Sequence, residues 1–144
     1  MRLVLLLSLA LLSAGLQAEI IIENAKAFAT APGQPNAAAF MTIKNTGDKS
    51  VTLEKLHSDV AKKTELHEQI EKDGMLRMQA VKNFSIAPGG QQVLAHGGKH
   101  IMLMGLEKPL KPGDTINVQL CFGELCVKQA ITVESLQKTN HHHH

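Results

Sequence analysis

The chain has 144 residues, with 15 Lys and Arg against 13 Asp and Glu and a formal net charge of +2 when His is neutral. That balance leaves no electrostatic footprint for nucleic acid. The absence of both Trp and Tyr removes the stacking surfaces of a single-strand binder and weakens any carbohydrate-platform idea.

Met1-Arg2 followed by Leu3 to Leu12 is a short basic end and a roughly ten-residue apolar run, too short to span a bilayer. It reads as a secretory signal over residues 1–18, cleaved after Ala18 in Leu16-Gln17-Ala18 or, alternatively, after Gly15. No lipoprotein-type cysteine stands near the cleavage region, and no later apolar run is long enough for a membrane span. The expectation is therefore a soluble, exported, periplasmic protein. Its single domain, residues 19–136, would have about 120 residues, enough for a modest core.

Glu19 to Asn24 opens with a run of Ile and passes into Ala-rich polar sequence up to Pro35. Ala37 to Ile43 reads as a buried strand ended by Asn45-Thr46-Gly47-Asp48, and Val51 to Leu56 as another, with His57 exposed at its end. Two strand-like runs then flank Glu71-Lys72-Asp73-Gly74. Phe84-Ser85-Ile86 leads into the turn Ala87-Pro88-Gly89-Gly90, Gln91 to Ala95 and His100 to Met104 flank Gly97-Gly98, and Pro112-Gly113-Asp114 precedes an alternating strand, Thr115 to Phe122. Short strands at roughly ten-residue spacing, separated by turn signals, predict an all-β sandwich or barrel with little helix.

Cys121-Phe122-Gly123-Glu124-Leu125-Cys126 reads as a hairpin whose two-residue loop, Gly123-Glu124, has Gly at its first position as a type II′ turn requires. Phe122 and Leu125 then form the hydrogen-bonded pair beside the loop, and Cys121 and Cys126 the next, closely spaced pair, which predicts a disulfide in an oxidising compartment. The alternative is a thiol pair that holds copper or exchanges electrons. The chain closes with His141, His142, His143 and His144, residues 137–144 forming a polar tail. A purification tag and a native tail that collects Cu(II), Ni(II) or Zn(II) both remain open.

The most informative stretch runs from His67 to Met104. It holds His67, Met75, Met78, His96, His100, Met102 and Met104, whereas Met41 is the only other methionine after the leader. Imidazole nitrogen and thioether sulfur are neutral donors suited to copper, the thioether being biased toward Cu(I). In a strand, His100, Met102 and Met104 share one face while Ile101 and Leu103 take the other. If Glu71-Lys72-Asp73-Gly74 is the loop of a hairpin, His67 stands opposite Met78 and Glu68 opposite Arg77, a register favoured by the facing charges. The bland reading is that strand methionines fill the core and isolated histidines sit on the surface. Met75 falls on the face opposite Met78, Met104 fits either role, and His96 beside Gly97-Gly98 reads as a loop residue. These three are accessory candidates.

His67, ten residues, Met78, twenty-one residues, His100, one residue, Met102 resembles the H-x10-M-x21-H-x-M signature of the periplasmic CuA chaperone family, often written PCuAC. Gly97-Gly98-Lys99-His100-Ile101-Met102-Leu103-Met104-Gly105-Leu106, followed by Pro109-Leu110-Lys111-Pro112-Gly113-Asp114, is similar to that family's hallmark segment, and the likeness runs from about Ala27 to Val133. His96 stands where proline is expected before the double glycine. The resemblance implies a cupredoxin-like or immunoglobulin-like Greek-key sandwich or barrel holding one Cu(I) through His67, Met78, His100 and Met102. It also implies an acceptor: the CuA centre of cytochrome c oxidase subunit II, reached directly or through a Sco-type thiol protein. The two cysteines lie outside the signature.

The donor chemistry speaks for a carrier and against an enzyme. A blue-copper centre needs a thiolate with two histidines, a catalytic zinc takes His with carboxylate or Cys, and no nucleophile elbow, paired glycosidase-like carboxylates or phosphate loop is evident. A thiolate-free Cu(I) site cannot be lost to disulfide formation, and only its histidines make affinity fall with pH. The expectation is a monomeric periplasmic Cu(I) metallochaperone. Its rivals are a copper-buffering or resistance protein using the same residues, and an exported β-sandwich interaction module in which those residues merely pack.

Overall fold

The computed structural model describes residues 19–136, so the expected secretory signal and the His141–His144 tail lie outside the described residues. Those residues form eleven strands and no helix: β1 (Ile20–Phe28), β2 (Asn36–Asn45), β3 (Val51–Leu53), β4 (Lys55–Ser58), β5 (Ala61–Lys72), β6 (Met75–Val81), β7 (Phe84–Ile86), β8 (Gln91–Leu94), β9 (Lys99–Leu106), β10 (Thr115–Phe122) and β11 (Leu125–Glu134). Nine of them join in the order β4-β10-β11-β1-β2-β9-β5-β6, with β8 also on β2, while β3 pairs with β7. The sheet is not closed: β4 and β6 are its free ends, so the architecture is the sandwich rather than the barrel.

Period-two alternation builds the core. Ala37, Ala39, Met41 and Ile43 of β2, Ile101 and Leu103 of β9, Ile116, Val118 and Leu120 of β10, and Ile131 and Val133 of β11 all point inward. Val51, Leu53, Phe84 and Ile86 of the small β3–β7 sheet join the same cluster. The outward residues of β2 and β9 therefore form a second surface on the other side of the sheet, and the candidate donors of β9 lie there.

The sequence reading of Val51 to Leu56 as one strand is corrected to two. The chain changes partner at Glu54, where β3 runs beside β7 and β4 beside β10. Its amide donates to the Cys121 carbonyl at 2.9 Å. The inward positions change parity across the switch, from Val51 and Leu53 to Leu56 and Ser58, with Glu54 and Lys55 both exposed between them. The first strand also runs further than its Ile-rich start, to Phe28, through an irregularity between Glu23 and Lys26 where Asn24 takes a positive φ of 53°.

Asn45 ties the end of β2 to the small sheet. It is buried, its Nδ2 donates to the carbonyls of Lys49 (2.7 Å) and Ile86 (3.0 Å), and its Oδ1 accepts from the Gly47 amide (3.1 Å). Asn45→Ala removes all three bonds, the one to the Ile86 carbonyl being buried. It should cost about 2–3 kcal/mol, measured as a fall in the urea midpoint with an unchanged slope.

The Cys121–Cys126 disulfide is formed, with Cα atoms 4.0 Å apart and the predicted pairing of Cys121 with Cys126 and Phe122 with Leu125. Gly123 has φ 64°, as the first loop position of a type II′ turn demands. The loop it closes is short, so the constraint it places on the unfolded chain is worth at most about 2 kcal/mol. Replacing both cysteines by serine should lower the urea midpoint only slightly and leave the β10–β11 ladder of eight pairs intact in amide exchange.

Candidate metal centre

Three neighbouring strands, β9, β5 and β6, carry the candidate donors. The β5–β9 ladder pairs His67 with His100, Glu65 with Met102, and Lys63 with Met104. Residues directly opposite share a face, so His67, His100, Met102 and Met104 lie on one surface, outward from Ile101 and Leu103.

The β5–β6 hairpin departs from the expected register. Its loop is Asp73-Gly74 alone, and the ladder runs Lys72 to Met75, Gln69 to Met78, Glu68 to Gln79 and His67 to Ala80. Both loop residues have positive φ, 54° and 73°. That is the type I′ turn for which Asp-Gly is among the strongest sequence signals. Turn chemistry outweighs the Glu68–Arg77 attraction, since an exposed cross-strand ion pair is worth only a fraction of a kcal/mol. Glu68 instead accepts from Gln79 Nε2 (2.7 Å) and lies 3.5 Å from Lys99 Nζ. The shift is two residues in register and therefore keeps the faces. His67 and Met78 still share one, as diagonal rather than direct neighbours.

The histidine rings of this surface meet. Those of His67 and His100 have centroids 6.2 Å apart and are tilted by 55°, and Phe40 from β2 stands 6.2 Å from His100 on its other side. With metal–nitrogen bonds of ~2.0 Å, two imidazoles on one ion have centroids about 5–6.5 Å apart, depending on the angle at the metal. The two rings therefore stand at a spacing that one ion can bridge.

His100 carries the decisive atom. The residue is 3% exposed, its Nδ1 lies 3.1 Å from the Gly98 carbonyl, and its Nε2 is buried with no hydrogen-bond partner. A carbonyl only accepts, so Nδ1 carries the proton and the neutral ring has a bare lone pair at the buried Nε2. Buried polar atoms are almost always satisfied, and an orphan of this kind calls for a reason. A ring oriented through its other nitrogen is the usual preparation of a metal ligand.

His67 is partnered differently. Its Nε2 lies 2.9 Å from Glu65 Oε2, and Glu65 Oε1 takes a 2.6 Å ion pair from Lys63. The hydrogen bond from Lys63, and after it that from His67, hold the Glu65 carboxyl below its ordinary value of 4.5, with desolvation opposing. Since the shift is downward, the stability it contributes is present above that ordinary value and is lost as the pH falls through the lowered one.

Of the other candidates, Met102 is half-buried beside His100, and Met104 follows it on the same face. Met78 is 54% exposed and sits two pairs nearer the hairpin tip than His67. Met75, 57% exposed, pairs with Lys72 beside the turn and belongs to the opposite face, as expected. His96 is exposed in the β8–β9 turn, its ring edge-on to Phe40 at 6.3 Å, and it does not join His67 and His100. Among the described residues no three His, Cys, Asp or Glu come close enough to hold a metal. Glu65 and Phe40 escaped the sequence reading. The period-two relation of Glu65 to His67 was available in the sequence, whereas Phe40 is brought beside His100 only by the β2–β9 pairing.

A family described as "Putative lipoprotein LpqE-like" matches residues 20–134, nearly the whole of the described domain. The chain belongs to the LpqE-like family. A curated relative, "Putative lipoprotein Lxx21020" of Leifsonia xyli subsp. xyli, is 40% identical over 104 residues, 72% of this chain and 63% of that protein, so the chain spans less than two thirds of the relative's length. Among solved structures, the copper-bound PCuAC domain from PmoF2 superposes with a TM-score of 0.67 at 21% identity, covering 81% of this chain and 92% of that one. The Cu(I) form of DR1885 from Deinococcus radiodurans gives 0.62 at 31% identity, over 84% and 83%. This LpqE-like chain thus has the cupredoxin-like sandwich of PCuAC domains. Among its described residues no helix is long and apolar enough to cross a membrane.

Proposed function

We propose that the protein is a periplasmic Cu(I) carrier, binding one ion as cargo through His67, His100, Met102 and Met78 and handing it to an acceptor protein. The observation that carries this reading is the buried, unpartnered Nε2 of His100 facing a surface where a second imidazole and a thioether are already neighbours. The solved copper-bound and Cu(I)-bound relatives support it. So does the donor set, since two imidazoles and two thioethers without a thiolate suit Cu(I) and offer little to zinc.

The placement of the donors supports a division of labour. His67, His100 and Met102 form the inner part of the site, whereas exposed Met78 on the β6 edge closes over the ion and is the first donor an acceptor displaces. Replacement of ligands one at a time keeps Cu(I) coordinated throughout, which a carrier needs and a catalyst with an open position does not. The acceptor is the CuA site of cytochrome c oxidase subunit II or a Sco-type protein, and the leader and the lipoprotein names of the relatives accord with an exported protein.

The test is a Cu(I) competition titration against a chromophoric chelator, on the full chain and on a variant with His141, His142, His143 and His144 replaced by alanine. One tightly held Cu(I) in both supports the carrier. No uptake by the variant would leave the domain as an interaction module. Deletion that lowers copper tolerance but spares oxidase activity would point to buffering.

A further inference from the structure

We infer that the two histidines present opposite ring nitrogens to the metal, His100 through Nε2 and His67 through Nδ1, and that Glu65 is the positioning residue that dictates the second. This rests on the copper reading above and adds to it a ligand atom and a residue outside the donor set.

The argument follows from what each hydrogen-bond partner is able to do. Glu65 Oε2 lies 2.9 Å from His67 Nε2. An ionised carboxylate only accepts, so Nε2 must carry a proton. Lys63 Nζ stands 2.6 Å from the other carboxylate oxygen, so Glu65 is the acceptor at both oxygens. A neutral His67 ring then has its one lone pair at Nδ1. At His100 the partner is the Gly98 carbonyl at Nδ1, so the assignment is reversed and Nε2 is the lone pair.

The register explains why Glu65 has this role. It is two residues from His67 on the same face and directly opposite Met102, so the carboxylate flanks the site from within the ladder without becoming a donor. A carboxylate behind a ligating imidazole fixes the ring and raises its basicity, and loss of such a partner commonly weakens a metal about 10–100-fold. Lys63, Glu65 and His67 form a relay along one strand face, with the ion at its end.

The experiment uses the full chain, 15N-labelled, with and without one equivalent of Cu(I), and long-range nitrogen–proton correlation of the imidazoles. Diamagnetic Cu(I) leaves these signals visible. The expected result is that His67 keeps its Nε2 proton while its Nδ1 resonance shifts, and that His100 does the reverse. Glu65→Leu should give a mixed His67 tautomer and a roughly ten- to hundredfold weaker Cu(I) site, with Glu65→Gln, which keeps an accepting oxygen, in between. Cu(I) bound at His67 Nε2, or unchanged affinity in Glu65→Leu, would overturn the inference while leaving the carrier intact. Unshifted rings in wild type would overturn the carrier reading and this inference with it.

Discussion

The Met78→Leu/Met102→Leu double variant is expected to lose at least about a hundredfold in Cu(I) affinity, roughly 3 kcal/mol, while its urea midpoint stays within experimental scatter of wild type. Leucine nearly conserves the volume of methionine, and such swaps cost little even in cores. Here Met78 is largely solvent-exposed and Met102 half-buried on the outer face, so neither belongs to the packed interior of Ile101 and Leu103. What the substitution removes is the polarisable sulfur. Two imidazoles remain, and the His67–Glu65 pair is untouched. The single variants separate the roles: Met102→Leu should account for most of the lost affinity, and Met78→Leu should chiefly speed release to a chelator in stopped flow. Unaltered affinity in the double variant would sink the four-donor site.

His100→Leu should abolish tight Cu(I) binding and yet leave the fold as stable as wild type, or more stable by up to about 1 kcal/mol. Removing a buried polar side chain usually costs stability because its partner is stranded. The one partner here is the Gly98 carbonyl, which also accepts from the Gln69 amide at 3.3 Å and so keeps a donor. The orphaned Nε2 disappears with the ring. An apolar side chain beside Phe40 leaves no unpartnered polar atom buried there. A gain in stability on removing His100 would mark it as kept for a ligand role rather than for the fold. The comparison needs chemical denaturation with copper rigorously excluded. A loss of several kcal/mol would mean that His100 is structural.

Much of this was legible in the sequence, for definable reasons. Alternation assigned faces correctly to His100, Met102 and Met104 because a strand permits no other arrangement. The Gly123-Glu124 loop placed Cys121 opposite Cys126 because two-residue hairpins allow one register. The β5–β6 register was misplaced by two residues because facing charges were weighted above Asp73-Gly74, although the turn constrains backbone torsions directly. Patterning also could not show that β9 lies between β2 and β5, since sheet order is set by long-range packing. That order is what sets His67 beside His100 and Phe40. The hydrogen bonds that assign the imidazole protons are local instead, each to a residue two positions back along the chain, Gly98 for His100 and Glu65 for His67.

The first and last strands of the sandwich run side by side, Ala27 against Val133 and Phe28 against Glu134. A contact between strands so far apart in the chain can form only after synthesis has passed Glu134. Nascent chains at the ribosome are thus left without a way to finish folding, and refolding should be slow, in the millisecond-to-second range of topologies dominated by distant pairings. A polypeptide that stays open until it is complete is also one that a translocation channel can thread.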